Sequence, residues 1–365
     1  MRAFRRSSKT ARAPENSAAE LVAARDWYSD QIALGVQRFL EPPRATCPWC
    51  SSGRIARYLT SKDIRQAKPG TFTLDRCSNC RHIFQNPRLT IDGLDFYYRD
   101  AYDGLNAAKA EANFASLSAV YLRRASSLRD ARPDTPLRWL DVGTGNGRFC
   151  AVASELFPKT RFDGLDLASG VVEAQERGWV HTAHRGLLLD LQDRIVGQYD
   201  QVSMHHYLEH TREPLAELDA AVRALTSDGW LMIEQPDPDC TMAKALRSWW
   251  AGWLQPEHQH MVNLDNLLAA LEERGLEIVR VQHSEAHLPL EAFLWLTTLL
   301  RTIAPDPTLP WRPARYVHLA RVRRLFGIAL IAPLIPLAGL IDRFVIPRAL
   351  HSAHAYRVIA RRVQA

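Results

Sequence analysis

Between residues 17 and 40 apolar side chains recur at helical spacing (Leu21, Ala24, Tyr28, Ile32, Val36, Phe39), and the run stops before Pro42-Pro43. This predicts an amphipathic helix. A second helical stretch is expected over roughly 107–131, closed by Pro133 and Pro136. From residue 137 the pattern changes to short apolar runs separated by amphipathic segments. Strands are expected near 137–142, 161–166, 183–189, 199–204, 229–234 and 276–282, with helices near 147–157, 168–177, 212–225 and 263–274. These are the intervals of βαβ units, which predict a parallel sheet covered by helices on both faces. From about 284 to 350 the chain is apolar and broken by prolines, before a last strand-like run, Ala355–Arg361. No internal repeat is visible.

Composition changes this picture little, but charge changes it more. With 365 residues and 47% hydrophobic content, one large and one smaller domain can each bury a core. The net charge of +6 is unevenly spread: residues 311–365 carry +9, the first twelve residues +5, and the stretch between them −8. A groove that tracks a phosphate backbone would need its basic residues in the body, so nucleic acid is not the expected partner. The arginine-rich start has no apolar stretch, so the expected compartment is cytoplasmic and reducing, with an organellar transit peptide as the alternative.

In a reducing compartment, paired cysteines point to metal. Cys47-Pro-Trp-Cys50 and Cys77-Ser-Asn-Cys80, separated by 26 residues, supply four thiolates at the spacing of two knuckles around one tetrahedral zinc ion. A site with four protein ligands has no open position, so this zinc is expected to be structural. Cys150 and Cys240 are expected to be core residues.

Asp141-Val-Gly143-Thr-Gly145-Asn-Gly147 leaves a strand and enters a helix, where sheets of this kind bind ligands. Glycine is needed where backbone passes close to a ligand or takes positive φ. Asp141 would repel a pyrophosphate but suits a cationic ligand, and Asp166, nineteen residues past Gly147, can take two ribose hydroxyls.

These residues resemble the class I S-adenosylmethionine-dependent methyltransferases. The resemblance continues through Tyr199-Asp200-Gln-Val202 with its following loop, and through the turn Leu225–Gly229 into the next strand, where Ser227 and Asp228 replace the usual Pro and Gly. It covers about 45–283 and again 355–362. It implies a Rossmann-like α/β fold of seven strands, the last antiparallel. It also implies that Asp141, Gly143, Gly145 and Gly147 hold the methionine part of S-adenosylmethionine, Asp166 the ribose, and Leu187–Asp190 the adenine. The cysteine module, with Tyr97, Tyr98 and Tyr102 after it, is similar to the zinc-binding N-terminal module of small-molecule and sugar C-methyltransferases. There such aromatics wall the substrate site; here they either do so or staple two domains together.

Methyl transfer from a sulfonium is an in-line displacement, so positioning supplies most of the rate. A base is needed only for a protonated acceptor, and histidine is the natural candidate. Two clusters compete: His205, His206, Glu209 and His210, and then Glu257-His258-Gln-His260 behind Trp249, Trp250 and Trp253. The second resembles the Glu-His pair of the sugar enzymes. His258 with Glu257 is the first expectation and His206 the second, each against a structural role. No recognisable ligand spacing supports a metal site among these histidines.

Leu325 to Ile341 is seventeen residues without a charge, broken by Pro333 and Pro336 and flanked by Arg321, Arg323, Arg324, Arg343 and Arg348. That is short for a span of about 20 residues, so an interfacial hairpin with peripheral contact at the inner membrane face is expected; the alternative is a buried helical pair or dimer face. The expected organisation is a basic tail and helix (1–40), a zinc-ribbon-like module (41–90), a methyltransferase domain (91–283 with 351–365) and a C-terminal apolar helical insert (284–350). The expected function is methylation of a small-molecule, sugar or lipid-linked acceptor. An RNA methyltransferase with a zinc ribbon, or a non-catalytic S-adenosylmethionine-binding membrane scaffold, are the alternatives.

Overall fold

The computed structural model describes residues 18–100, 105, 111–112, 115–283, 290–312, 317–346 and 354–363. In chain order the strands are β1 (Ile55–Ser61), β2 (Phe72–Cys77), β3 (Ile83–Gln85), β4 (Arg138–Val142), β5 (Arg161–Asp166), β6 (Thr182–Arg185), β7 (Tyr199–His205), β8 (Leu225–Pro236), β9 (His260–Met261), β10 (Leu276–Gln282) and β11 (Ala355–Arg362). Seven of them form one sheet in the order β10-β11-β8-β7-β4-β5-β6. All are parallel except β11, which runs antiparallel to both neighbours. This is the Rossmann-like α/β sheet expected from the alternation of apolar runs.

The central strands read as continuous apolar runs because both faces are covered. On β4, Trp139 packs into one core layer with Phe149, Phe157 and Phe162, while Leu140 and Val142 pack into the other with Val202, Ile233 and Val358. Strand β6 is shorter than expected: it ends at Arg185, Gly186 turns the chain, and Leu188–Leu191 is a short helix. At the N-terminus the helix Ala18–Ala33 stops two residues before Gly35 (φ 85°), short of the prolines.

A second, antiparallel sheet has the order β1-β2-β3-β9. Its fourth strand is two residues from the segment after β8, so His260 pairs with Phe84 and Met261 with Ile83. Leu59, Leu74 and Ile83 share one core with Ala243, Trp250, Trp253 and Met261. The cysteine-bearing hairpin is thereby packed against the loops at the carboxyl edge of the large sheet.

The apolar segment departs from expectation. Val317–Ile331, a 3-10 turn at Ala332–Leu334, Ile335–Leu340 and a wide turn at Ile341–Val345 run on as one helical stretch of 29 residues, long and apolar enough to cross a membrane. Pro333 and Pro336 do not break it, because each falls in the first turn of a new helical segment, where no backbone N–H is required. Gly327, Ile331, Ala338 and Asp342 face inward, against the helix Glu291–Ile303. The Asp342 carboxylate accepts the N–H groups of Ala292 and Phe293 at 2.8 and 3.1 Å, capping that helix. Leu325, Phe326, Leu330, Leu334, Leu337 and Leu340 are exposed.

Candidate active site

The loop after β4 is built by glycine. Gly143, Gly145 and Gly147 have φ of 74°, 58° and 73°, values that side chains with a Cβ rarely adopt. A Cβ on Gly143 would stand 2.8 Å from the Tyr207 ring, and one on Gly147 2.5 Å from the Ala174 methyl. Asp166 at the end of β5 locks the loop: its Oδ2 accepts the Gly145 N–H at 2.8 Å and its Oδ1 the Ala168 N–H at 2.8 Å. Asp141 is buried behind the loop and accepts the Ser203 hydroxyl at 2.6 Å. Burial pushes its carboxyl up to about 6, against hydrogen bonds from Ser203 and Thr144 that hold it down. The donor set fits a cation-bearing nucleoside: two carboxylates and open glycines, with no lysine in the loop.

Asp190 lies in the short helix after β6 and is exposed. It stands close enough to Glu217 to help raise that buried carboxyl to about 7, burial being the larger cause. Glu217 accepts the Tyr207 hydroxyl at 3.0 Å. The pair Tyr207–Glu217, which props the ring over Gly143, gave no sequence signal.

His206 is not the free base expected of it. Its Nδ1 lies 3.1 Å from Glu209 and its Nε2 3.2 Å from Glu234. Burial alone would lower its pKa, but the two carboxylates outweigh it and hold the ring at about 9, so it is a charged donor at neutral pH. Glu257 is also engaged: its carboxylate receives Arg65 and, at 3.1 Å, the Gln66 amide, both from the loop between β1 and β2. It ties the small sheet to the catalytic edge rather than offering a free carboxylate.

His258 differs. Its Nδ1 donates to the Gly252 carbonyl at 2.8 Å, which leaves the Nε2 lone pair, and burial lowers its pKa so that the ring is neutral. His210 stands against it with ring centroids 4.6 Å apart, and burial drives its pKa down to about 3. The Tyr98 hydroxyl contacts His210 Nδ1 at 2.6 Å and the Glu257 carbonyl at 3.1 Å. Tyr97 instead packs among Phe39, Phe72 and Phe96, away from these histidines; Tyr102 lies outside the described residues. His260 pairs with His82 at 3.0 Å inside the small sheet, and His205 packs on Phe149.

The four cysteines converge as their spacing requires, with all four sulfurs within 4.8 Å of one another. The pairs Cys47–Cys80 and Cys50–Cys77 are 3.7 and 3.6 Å apart. A tetrahedron with metal–sulfur bonds of about 2.3 Å has edges of about 3.8 Å. Both knuckles turn at a left-handed residue, Ser51 (φ 58°) and Arg81 (φ 62°), and aim the N–H groups of Trp49 and Asn79 at the first sulfur of each pair.

A family model described as "Methyltransferase domain" matches residues 111–281, the span that holds the glycine loop, Asp166, His206 and His258. Residues 111–281 thus carry a methyltransferase domain. Solved structures resemble it at the level of architecture. The [4+2]-cyclase SpnF is 16% identical, with a TM-score of 0.44 over 67% of this chain and 81% of that one. A SAM-dependent methyltransferase from Archaeoglobus fulgidus is 18% identical (TM-score 0.40, 65% and 92%). Coclaurine N-methyltransferase bound to N-methylheliamine and SAH is 17% identical (TM-score 0.42, 72% and 73%). No curated protein matches the methyltransferase by sequence.

Proposed function

We propose that the enzyme methylates a small-molecule acceptor, sugar-like or lipid-linked, at the carboxyl edge of the large sheet. The observation that carries this reading is the meeting of two features there. One is the acidic glycine loop after β4; the other is a wall made of Tyr98, from the helix Ile91–Tyr98, and the neutral rings of His210 after β7 and His258 after β8. In this reading Asp141 and the loop glycines receive the amino-acid end of S-adenosylmethionine, Asp166 the ribose, and Asp190 with Leu187–Leu189 the adenine. The cofactor supplies an electrophilic methyl group. His258 takes the acceptor's proton at Nε2, and such a base is worth about 10²–10⁴-fold. His206, already protonated, orients Glu209, and Glu257 holds Arg65 and Gln66 so that the Tyr98 hydroxyl and the His258 ring stay in place.

We further propose that Cys47, Cys50, Cys77 and Cys80 hold one structural zinc ion in a module of about residues 41–90. The methyltransferase domain would then be 91–283 with 351–365, and 284–350 an insert. Within the insert, the inner face of the 317–345 helical stretch packs on the helix Glu291–Ile303, so its outer leucines are the ones free to enter a bilayer. This favours attachment lying in the interface over a span. A lipid-linked acceptor follows from that attachment. The direct test incubates purified protein and S-adenosylmethionine with soluble sugars, phenols and polyprenyl- or quinone-type lipids, reading S-adenosylhomocysteine release. Release with a lipid-linked acceptor supports the whole reading, release only with soluble ones removes the membrane part, and none with any removes the acceptor assignment.

A further inference from the structure

Glu209, His210 and His258 bring a carboxylate oxygen and two imidazole nitrogens within 4.8 Å of one another. The first two stand on the turn after β7 and the third two residues before β9; a backbone bond from Gln259 N–H to the Glu209 carbonyl, 2.7 Å long, clamps the two segments together. Glu209 is 1% exposed. One of its oxygens is used on His206, while the other, Oε2, is buried without a hydrogen-bond partner. A buried carboxylate oxygen left unpaired is costly and calls for an occupant.

The protons around the cluster support a cation as that occupant. The Gly252 carbonyl can only accept, so His258 carries its proton on Nδ1 and its lone pair on Nε2. The Glu257 carbonyl likewise takes the single proton of the Tyr98 hydroxyl. The Tyr98 oxygen then accepts from His210 Nδ1, which puts the His210 lone pair on Nε2 as well. Both rings are thus held from their far nitrogen by an acceptor, the arrangement that orients metal-binding imidazoles. Two neutral imidazoles and one carboxylate, with ligand atoms within 4.8 Å of one another, are the ligand types of open zinc and iron(II) sites.

We propose that Glu209, His210 and His258 form a second metal site, separate from the four cysteines, for a divalent ion of the zinc, cobalt or iron(II) type. Three protein ligands leave a position open. On the methyl-transfer reading above, on which this role rests, that position takes the acceptor oxygen, and the ion lowers its pKa in place of the His258 lone pair.

The test titrates Co²⁺ into protein whose cysteine site is already filled with zinc. The expected result is one further equivalent of Co²⁺, with a visible spectrum free of thiolate-to-cobalt charge transfer. Glu209→Gln and His258→Gln should each weaken that binding at least tenfold while the zinc content stays at one per chain. S-adenosylhomocysteine affinity, measured in the same samples, reports the fold and the methyl-transfer reading separately. Its loss in wild-type protein that still binds Co²⁺ would remove the proposed role and leave the metal site standing. No second equivalent in the wild type, a titration that needs no variant, overturns the site. Equal Co²⁺ binding in the wild type and both variants would also overturn it.

Discussion

Glu234 is the point at which fold and site depend on one side chain, and replacing it with glutamine tests that dependence. Its carboxylate is fully buried and accepts Arg124 through Nε (3.0 Å) and Nη2 (2.5 Å), Arg357 through Nε (2.9 Å) and Nη2 (2.6 Å), and His206 Nε2 at 3.2 Å. Burial alone would raise its pKa, but the two guanidiniums and the His206 ring carry it well below the usual glutamate range. Glu234→Gln keeps the shape and one acceptor, but it removes the charge and turns an NH₂ toward a guanidinium. Arg124 and Arg357, both almost fully buried, then lose the carboxylate they share. Breaking a buried pair from one side costs about 3–5 kcal/mol. Urea unfolding should therefore show the midpoint lowered at unchanged slope, the shift multiplied by the slope giving that loss. The same depressed pKa means that Glu234 contributes stability above the unfolded glutamate pKa. That contribution is lost as pH falls through the lower folded value, so the wild-type midpoint should drop in acid more than that of the variant. A loss below about 1 kcal/mol, or parallel acid profiles, would refute the assignment of Glu234 as the charge centre of the sheet.

Three further outcomes follow from the geometry. Binding of S-adenosylhomocysteine should be full above pH 6 and weaken as pH falls below it, because Asp141, held at about 6 in the free protein, must be ionised to meet an ammonium group; calorimetry across pH 5–7 giving a flat affinity would move the amino group elsewhere. Protein purified without chelator should carry about one tightly bound zinc ion, lost in Cys47→Ser or Cys77→Ser; metal analysis finding none in the wild type would reject the module. Leu325, Leu330 and Leu337 changed together to Ser should release the protein from anionic vesicles, since each outward leucine contributes through area buried at about 25 cal/mol per Å²; a wild type that stays in the supernatant with every vesicle composition would make the helix a dimer face or lid. Ile331 is left out of that set because it packs inward on Leu296 and Ala338.

The parts of the enzyme that were legible in the sequence are those specified locally. The glycine loop and Asp166 are encoded within 26 residues, and the knuckles within two four-residue turns, so spacing alone located them. The state of His206 was not legible, because its clamps come from far along the chain: Glu234 is 28 residues away, and Arg124 and Arg357 converge on that carboxylate from before β4 and from β11. The role of Glu257 was hidden for the same reason, its partners Arg65 and Gln66 being more than 190 residues earlier. Strand β9 is two residues long, too short to leave a periodic signal, yet it fixes where the cysteine module sits. The prolines misled for a physical reason: their cost depends on whether a helix segment restarts at that point, which packing against Glu291–Ile303 decides.

The central claim is that the loop Asp141–Gly147 with Asp166 binds the methyl-donating cofactor, and calorimetric titration with S-adenosylhomocysteine tests it most directly. Wild-type protein should bind one equivalent at micromolar strength. Asp166→Ala should lose about 1.5–3 kcal/mol, roughly 10- to 150-fold in affinity, by removing charge-assisted bonds to the ribose and the anchor of the Gly145 N–H. Unchanged affinity in a folded Asp166→Ala protein, or no binding in the wild type, would contradict it.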